Sequence, residues 1–317
     1  MGGMALGAVA AGTAVGPAFI SPRAVMDGLL GVGDETTVAI VRQLRLPRAL
    51  LSFVVGGCLA VTGATLQALI RNPLADPYLL GLSGGAGLGA VLAIAFHFGG
   101  AWGVPLAAFV GALLAILLVY RLAVVSGSVL DTRIMLLSGV VVSAFTGALL
   151  GAVVSLSPAA ELRNAMLWLL GGFDSASWHT LGIFLGYAVV PLGVLFWASR
   201  PLDLLSLGEE PALFLGVEVE RLKRVLYVAA SLLTAAAVAV SGIIGFVGLV
   251  IPHAIRIVWG HAHISLLPAA FLLGGVLLTS ADALARTVFA PQELPVGVVT
   301  ALVGVPVFAI LLRRWAT

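Results

Sequence analysis

The sequence predicts an all-α, polytopic membrane protein of about ten transmembrane helices, on three grounds. Of its 317 residues, 61% are hydrophobic and 9% charged, and the mean hydropathy is +1.17. A soluble protein carries about 25% charged residues, so 16 basic and 14 acidic side chains cannot cover the core that a chain this long would bury in water. The apolar residues fall in runs close to the roughly 20 that cross a hydrocarbon core about 30 Å thick. Backbone groups in lipid must satisfy one another, which leaves helices or a closed barrel. The runs are unbroken, without the alternation over about ten residues that marks a barrel strand.

In chain order the spans are expected near 2–20, 49–70, 79–98, 102–124, 134–156, 178–198, 222–240, 249–258, 266–287 and 297–313. The first is Gly- and Ala-rich and lacks the basic opening of a secretory signal, so it is read as a retained helix. The second holds Cys58, the one cysteine, which excludes an internal disulfide or thiolate cluster. The third, fifth and sixth carry glycines four residues apart: Gly85 with Gly89, Gly147 with Gly151, and Gly182 with Gly186. Small residues at that spacing let helix backbones approach closely in lipid. The run from Gly85 to Ala90 also fits G-x-G-x-x-A, but no strand–turn–helix surrounds it, and helix packing is the preferred reading. A short helix is expected at Asn164–Leu170, ended by Gly171 and Gly172. The eighth span is too short to cross as one regular helix and is expected as a broken element beside the irregular Ser241–Gly248 stretch. Such backbone is tolerated at depth only when buried in protein or lining a cavity. Trp102, Trp178, Trp197, Trp259 and Trp315 fall near span ends, as interfacial anchors do.

With both termini cytoplasmic, the inner side receives ten basic residues, namely Arg71, Arg121, Arg133, Arg200, Arg221, Lys223, Arg224, Arg256, Arg313 and Arg314. The outer side receives six, namely Arg23, Arg42, Arg45, Arg48, Arg163 and Arg286. The excess follows the positive-inside rule, but three outer arginines crowd into seven residues, and an acidic partner docking there would account for them. A net charge of +2, without interleaved aromatics, gives no nucleic-acid footprint. His261 and His263 read as solvated loop residues and His253 as packing. No metal site and no nucleophile–base pair stands out, so the chain is not expected to be an enzyme. A phosphate-binding loop needs a lysine after glycine, whereas Lys223, the only lysine, follows Leu222. Any ATPase driving transport must be another chain.

The largest polar interruption, from Ser199, contains a loop at about 199–221 on the inner side. It is expected to form two short helical pieces broken at Gly208. Glu209 and Glu210 would complement the second piece's dipole, and Gly216 would end it. Leu213 and Phe214 give a small apolar face suited to a partner's groove, although an ordinary interhelical loop is an equal reading at this point.

Five motifs then occur in order: Leu44-Arg45-Leu46-Pro47-Arg48, Asn72-Pro73-Leu74-Ala75-Asp76-Pro77, Gly208-Glu209-Glu210 through Leu215-Gly216, Gly245-Phe246-Val247-Gly248-Leu249-Val250-Ile251-Pro252-His253, and Glu293-Leu294-Pro295-Val296-Gly297. Together they resemble the FecCD-type permeases, membrane subunits of type II ABC importers for ferric siderophores, haem and cobalamin. The resemblance covers all but about the first 40 residues. It implies a single permease domain over 1–317, ten helices, a homodimer with the pathway at its interface, two cytoplasmic ATPases holding ATP and Mg²⁺, and a periplasmic or lipid-anchored binding protein. This chain would bear no cofactor and would lie in the cytoplasmic (inner) membrane. Arg42, Arg45, Arg48 and Arg286 would dock acidic residues of the binding protein, with an intrahelical pair to Asp282 as a further role for Arg286. Leu207, Gly208, Glu209, Glu210, Ala212, Leu213, Phe214, Leu215 and Gly216 would couple to the ATPase. Asn72, Leu74, Asp131 and Thr132 would close the cytoplasmic gate. Asp131 departs from the small hydroxyl residue of the pattern, and a carboxylate pair across a dimer axis needs neutralising, for example by Arg133. Asn72-Pro73 and Asp76-Pro77 also fit simple turn and cap chemistry. The cargo implied is a metal chelate, an iron complex (siderophore or haem) first and cobalamin as the alternative. A secondary transporter driven by ions is the rival of another class. It needs ionisable residues at mid-membrane, and the span centres hold almost none.

Overall fold

The computed structural model describes residues 1–125 and 131–315, with side chains in all of these except 101, 125 and 311–315. Arg313, Arg314 and Trp315, counted above as inner charges and an anchor, therefore lie outside the described side chains. Every expected span is a helix. In order these are α1 (Gly2–Ala14), α2 (Pro22–Leu30), α3 (Glu35–Ala39), α4 (Leu46–Ile70), α5 (Leu82–Ala95), α6 (Gly100–Val125), α7 (Thr132–Leu156), α8 (Ala159–Leu169), α9 (Trp178–Trp197), α10 (Ser199–Ser206), α11 (Glu209–Phe214), α12 (Val219–Ser241), α13 (Val247–Trp259), α14 (His263–Thr287) and α15 (Val296–Trp315). A π-helical turn (Ile40–Arg45) joins α3 to α4, and a 3-10 turn (Pro77–Leu80) precedes α5. Among the described residues, six stretches are long and apolar enough to cross a membrane, and α1, α5, α13 and 296–310 of α15 are shorter apolar helices. Together they account for the ten.

The differences from expectation have local causes. α1 stops at Ala14, where Val15 turns extended (ψ 137°), and Pro17 two residues on cannot continue a helix. The following α2 was not expected. Ser21 caps it through Ala24 N at 3.3 Å, Pro22 occupies its first turn, and Gly31 closes it at φ 78°. α8 begins at Ala159, five residues before the expected start.

α4 is buried along nearly its whole length and packs against α14, α12, α13 and α9, with α1 covering it near Ala49. Glycine permits the closest crossing. A methyl group at Gly56 would lie 2.3 Å from the Gly274 carbonyl oxygen of α14. Gly85 and Gly89 serve α5 against α6 in the same way, with added methyls 2.4 Å from Gly111 O and 2.1 Å from Ala107 O. Gly147, Gly151, Gly182 and Gly186 make no such approach within this chain, since each has open space within 4 Å of the would-be methyl. Against α4 the close contact comes instead from Gly274, outside the expected pairs, whereas Gly85 and Gly89 meet α6 as expected.

Between α12 and α13 the backbone is irregular over 242–246, with Gly242 at φ 66° and Phe246 at φ 69°. Protein groups satisfy Ile244 within it and Ser241 just before it. The Tyr78 hydroxyl donates to Ile244 O and accepts from Ile244 N, both at 3.1 Å, while Gly172 N donates to Ser241 O at 2.8 Å. The expected broken element is thus present, and α13 after it is a regular helix of 13 residues.

Candidate functional site: two charged ends of one buried helix

α4 spans 25 residues, about 37 Å at a rise of ~1.5 Å per residue, and charged side chains gather at both of its ends. At its start, Arg48 reaches three carboxylates. It meets Asp282 Oδ1 at 2.9 Å, Glu293 Oε2 at 2.9 Å and Asp174 Oδ1 at 3.5 Å. Asp282 is wholly buried and also pairs with Arg286 Nε at 3.1 Å, which is the intrahelical pair expected from the sequence. Arg286 donates onward to Gly12 O at 2.9 Å and Val15 O at 3.2 Å. Arg45 donates to Ala14 O at 2.7 Å and to Ala18 O. A helix leaves its last carbonyls without partners, and these two arginines take up those at the end of α1.

This corrects the expectation of four arginines projecting as one basic patch. Arg45 and Arg286 are only 4% and 2% exposed, drawn inward by the carbonyls of α1 and the Asp282 carboxylate. Arg42 is exposed, and its guanidinium donates to Leu29 O at 2.8 and 3.1 Å. Arg45, Arg48 and Arg286 do line one cleft of about 320 Å³, with Asp174 and Glu293 on its walls.

At the other end, Arg71 caps α4 in the left-handed region (φ 52°), and Asn72 Oδ1 accepts from Leu74 N at 2.9 Å. Asp76 likewise accepts from Tyr78 N at 2.9 Å, so the turn chemistry read from both Pro motifs is present. Asp131 Oδ1 accepts from Arg133 N at 2.7 Å and caps α7. Asn72, Asp131 and Thr132 line a cleft of about 680 Å³ together with Glu209 and Glu210, while Leu74 stands exposed.

The loop after α9 forms the two expected helical pieces, α10 and α11, broken at Gly208 (φ 130°) and ended at Gly216 (φ 84°). Ala212 is buried, while Leu207, Leu213, Phe214 and Leu215 are 68%, 57%, 91% and 59% exposed and form an apolar tip. Glu209 ties this tip inward through Lys223 Nζ at 2.7 Å and Arg71 at 3.6 Å. Glu210 is exposed.

Several polar contacts escaped the sequence reading. His263, expected to be solvated, is buried with Nδ1 2.6 Å from Asp203 Oδ1, which also accepts from His263 N at 2.8 Å. Arg256 donates to Gln67 Oε1. These partners lie 60 and 189 positions apart, and no local signal connects them. Glu220 with Lys223 and Glu218 with Arg221, each three apart, are by contrast close enough in sequence to be paired in advance.

Comparison with known proteins places this arrangement among transporters. The model of the FecCD transport family matches residues 4–314. The cobalamin import system permease protein BtuC of Halobacterium salinarum is 46% identical over 279 residues, covering 88% of this chain and 74% of that protein. The hemin transport system permease protein HmuU of Yersinia pestis is 43% identical over 278 residues, covering 86% of this chain and 82% of that one. A solved metal-chelate type ABC transporter in an inward-facing conformation superposes with a TM-score of 0.84 at 32% identity, over 92% of this chain and 95% of that one.

Proposed function

This chain belongs to the FecCD transport family, and on that premise we propose that it passes a metal chelate across the cytoplasmic membrane as the permease subunit of an ABC importer. It is a transport subunit and not an enzyme. The observation that carries the reading furthest is the apolar tip of Leu207, Leu213, Phe214 and Leu215, exposed at a polar end of a membrane bundle. Isolated exposed apolar residues are ordinary, but a group gathered on one short element suits a partner's groove. We assign the ATPase to this tip and place both termini, ATP and Mg²⁺ on the same cytoplasmic side, with no cofactor held by this chain.

The linkage from tip to pathway follows from the charges. Glu209 on α11 holds Arg71, and Arg71 precedes Asn72 and Leu74 of the proposed gate. Movement of α11 by a nucleotide-driven partner is thereby transmitted to the gate end of α4 and to the cleft shared with Asp131 and Thr132. At the opposite end we assign docking of a binding protein to the exposed Arg42 and to the cleft that opens onto Arg48. Arg45 and Arg286 support that surface from beneath. Two copies of the chain, two ATPases and one binding protein complete the assembly, with residues 1–317 as one permease domain.

The cargo is an iron complex, a siderophore or haem. Cobalamin is the second reading, favoured by the relative named for cobalamin import. The test is uptake into liposomes holding the chain, its ATPase and its binding protein, with ferric siderophore, haem and cobalamin offered separately. ATP-dependent uptake of one of them names the cargo. Uptake driven by a proton or sodium gradient without ATP would overturn the reading.

A further inference from the structure

We propose that the cleft between α4, α10 and the α13–α14 turn binds the phosphate headgroup of an anionic phospholipid. The cleft measures about 420 Å³ and is lined by Gln67, Arg71, Asn72, Asp203, Arg256, His261 and His263 among others. Its charge is lopsided. Arg256 is half-buried on the last turn of α13 and has no carboxylate within ion-pair distance among the described residues; its guanidinium donates to the neutral Gln67 amide. Arg71, which pairs with Glu209 at 3.6 Å, and His261 add positive or protonatable groups. The one carboxylate on the wall, Asp203, is engaged by both nitrogen donors of His263. The other ring nitrogen of His263, Nε2, is buried without a hydrogen-bond partner. A cation drawn out of water without a counter-charge is costly unless an anion joins it, and this cleft has room for a phosphate ester.

The neighbouring surface selects a lipid over a free anion. Ile257, Val258 and Trp259 follow Arg256 directly and are exposed, as is Ile264 just past the turn. A tryptophan and aliphatic side chains beside an arginine at a helix end suit the boundary between headgroups and acyl chains. Basic pockets between transmembrane helices bind anionic headgroups on the same principle. The cleft touches Ser206 and Leu207 of the α10 hinge, so an occupied site would brace the base of the apolar tip.

The experiment uses the full chain in detergent, titrated with phosphatidylglycerol, phosphatidylcholine or inorganic phosphate, with retained lipid read by native mass spectrometry and Tm in parallel. The expected result is preferential retention of phosphatidylglycerol with a raised Tm. Arg256→Gln should weaken retention about tenfold, which corresponds to about 1.4 kcal/mol. His261→Glu, at an exposed loop position, should weaken it without disturbing the fold. Arg221→Gln, on the exposed face of α12 away from the cleft, should leave it unchanged. Equal retention of both lipids, indifference to both cleft variants, or an equal response to inorganic phosphate would overturn the proposal. None of these outcomes depends on transport, so failure here is separable from failure of the importer reading.

Discussion

The Tyr78 hydroxyl serves both the N–H and the C=O of Ile244, in the irregular stretch between α12 and α13. Tyr78→Phe strands both groups, and an unsatisfied buried polar group costs about 1–3 kcal/mol. A lowered Tm of the detergent-solubilised protein is therefore expected, and an unchanged Tm would show that another group satisfies Ile244. Its neighbour Asp76 lies in the loop before the 3-10 turn. Burial pushes its carboxyl up to about 6, partly offset by the hydrogen bond from Tyr78 N–H. The folded protein then holds this proton more tightly than the unfolded chain does. Its contribution to stability is complete below about pH 4 and is lost as pH rises through about 6. Asp76→Asn keeps an oxygen acceptor and removes the titration, so it should flatten that part of the Tm–pH curve. A curve with the same slope would remove Asp76 as the titrating group.

At the scale of elements, α11 can be read as a lever with an apolar tip and a charged hinge. Phe214→Asp alters only an exposed tip and should weaken co-purification of the ATPase while Tm holds. Glu209→Lys places a cation against Lys223 and Arg71, so it should release α11 and uncouple ATP hydrolysis from uptake. Unimpaired coupled uptake in that variant would sink the linkage. The α4–α14 crossing is a different kind of element, held by contact. Gly56→Ala puts a methyl 2.3 Å from Gly274 O, backbone that cannot rotate aside, and overpacking of this kind costs about 1–3 kcal/mol. Gly147→Ala meets open space in the single chain and should leave its Tm unchanged. A loss of stability appearing only in the assembled dimer would place α7 at the interface.

At the scale of the whole molecule, charge gathers at the two ends of a bundle whose span centres hold almost none. At the α1 end, buried arginines close the fold and Arg42 stands exposed, where the proposed docking would use it. Arg42→Glu should slow binding-protein association most at low salt, where screening is least. Arg45→Gln should leave association alone and lower stability, because it strands the carbonyls of Ala14 and Ala18. An association rate indifferent to Arg42 at every ionic strength would move the docking surface elsewhere.

The amino-acid order by itself determined the membrane class, the ten apolar elements, the α10–α11 break at Gly208 and the caps at Asn72 and Asp76. Each of these depends on run length, backbone preference or neighbours within a few residues, and such terms are legible along a chain. Only the tertiary structure decided that Arg45 and Arg286 turn inward to α1, that Glu209 clasps Lys223 and Arg71, that His263 is buried on Asp203, and which glycines touch. Those outcomes turn on which helix ends meet, and in lipid the apolar surfaces that would dictate the meeting are nearly interchangeable. The choice falls to a few polar groups that must find partners across the bundle, and their partners lie far away in the sequence.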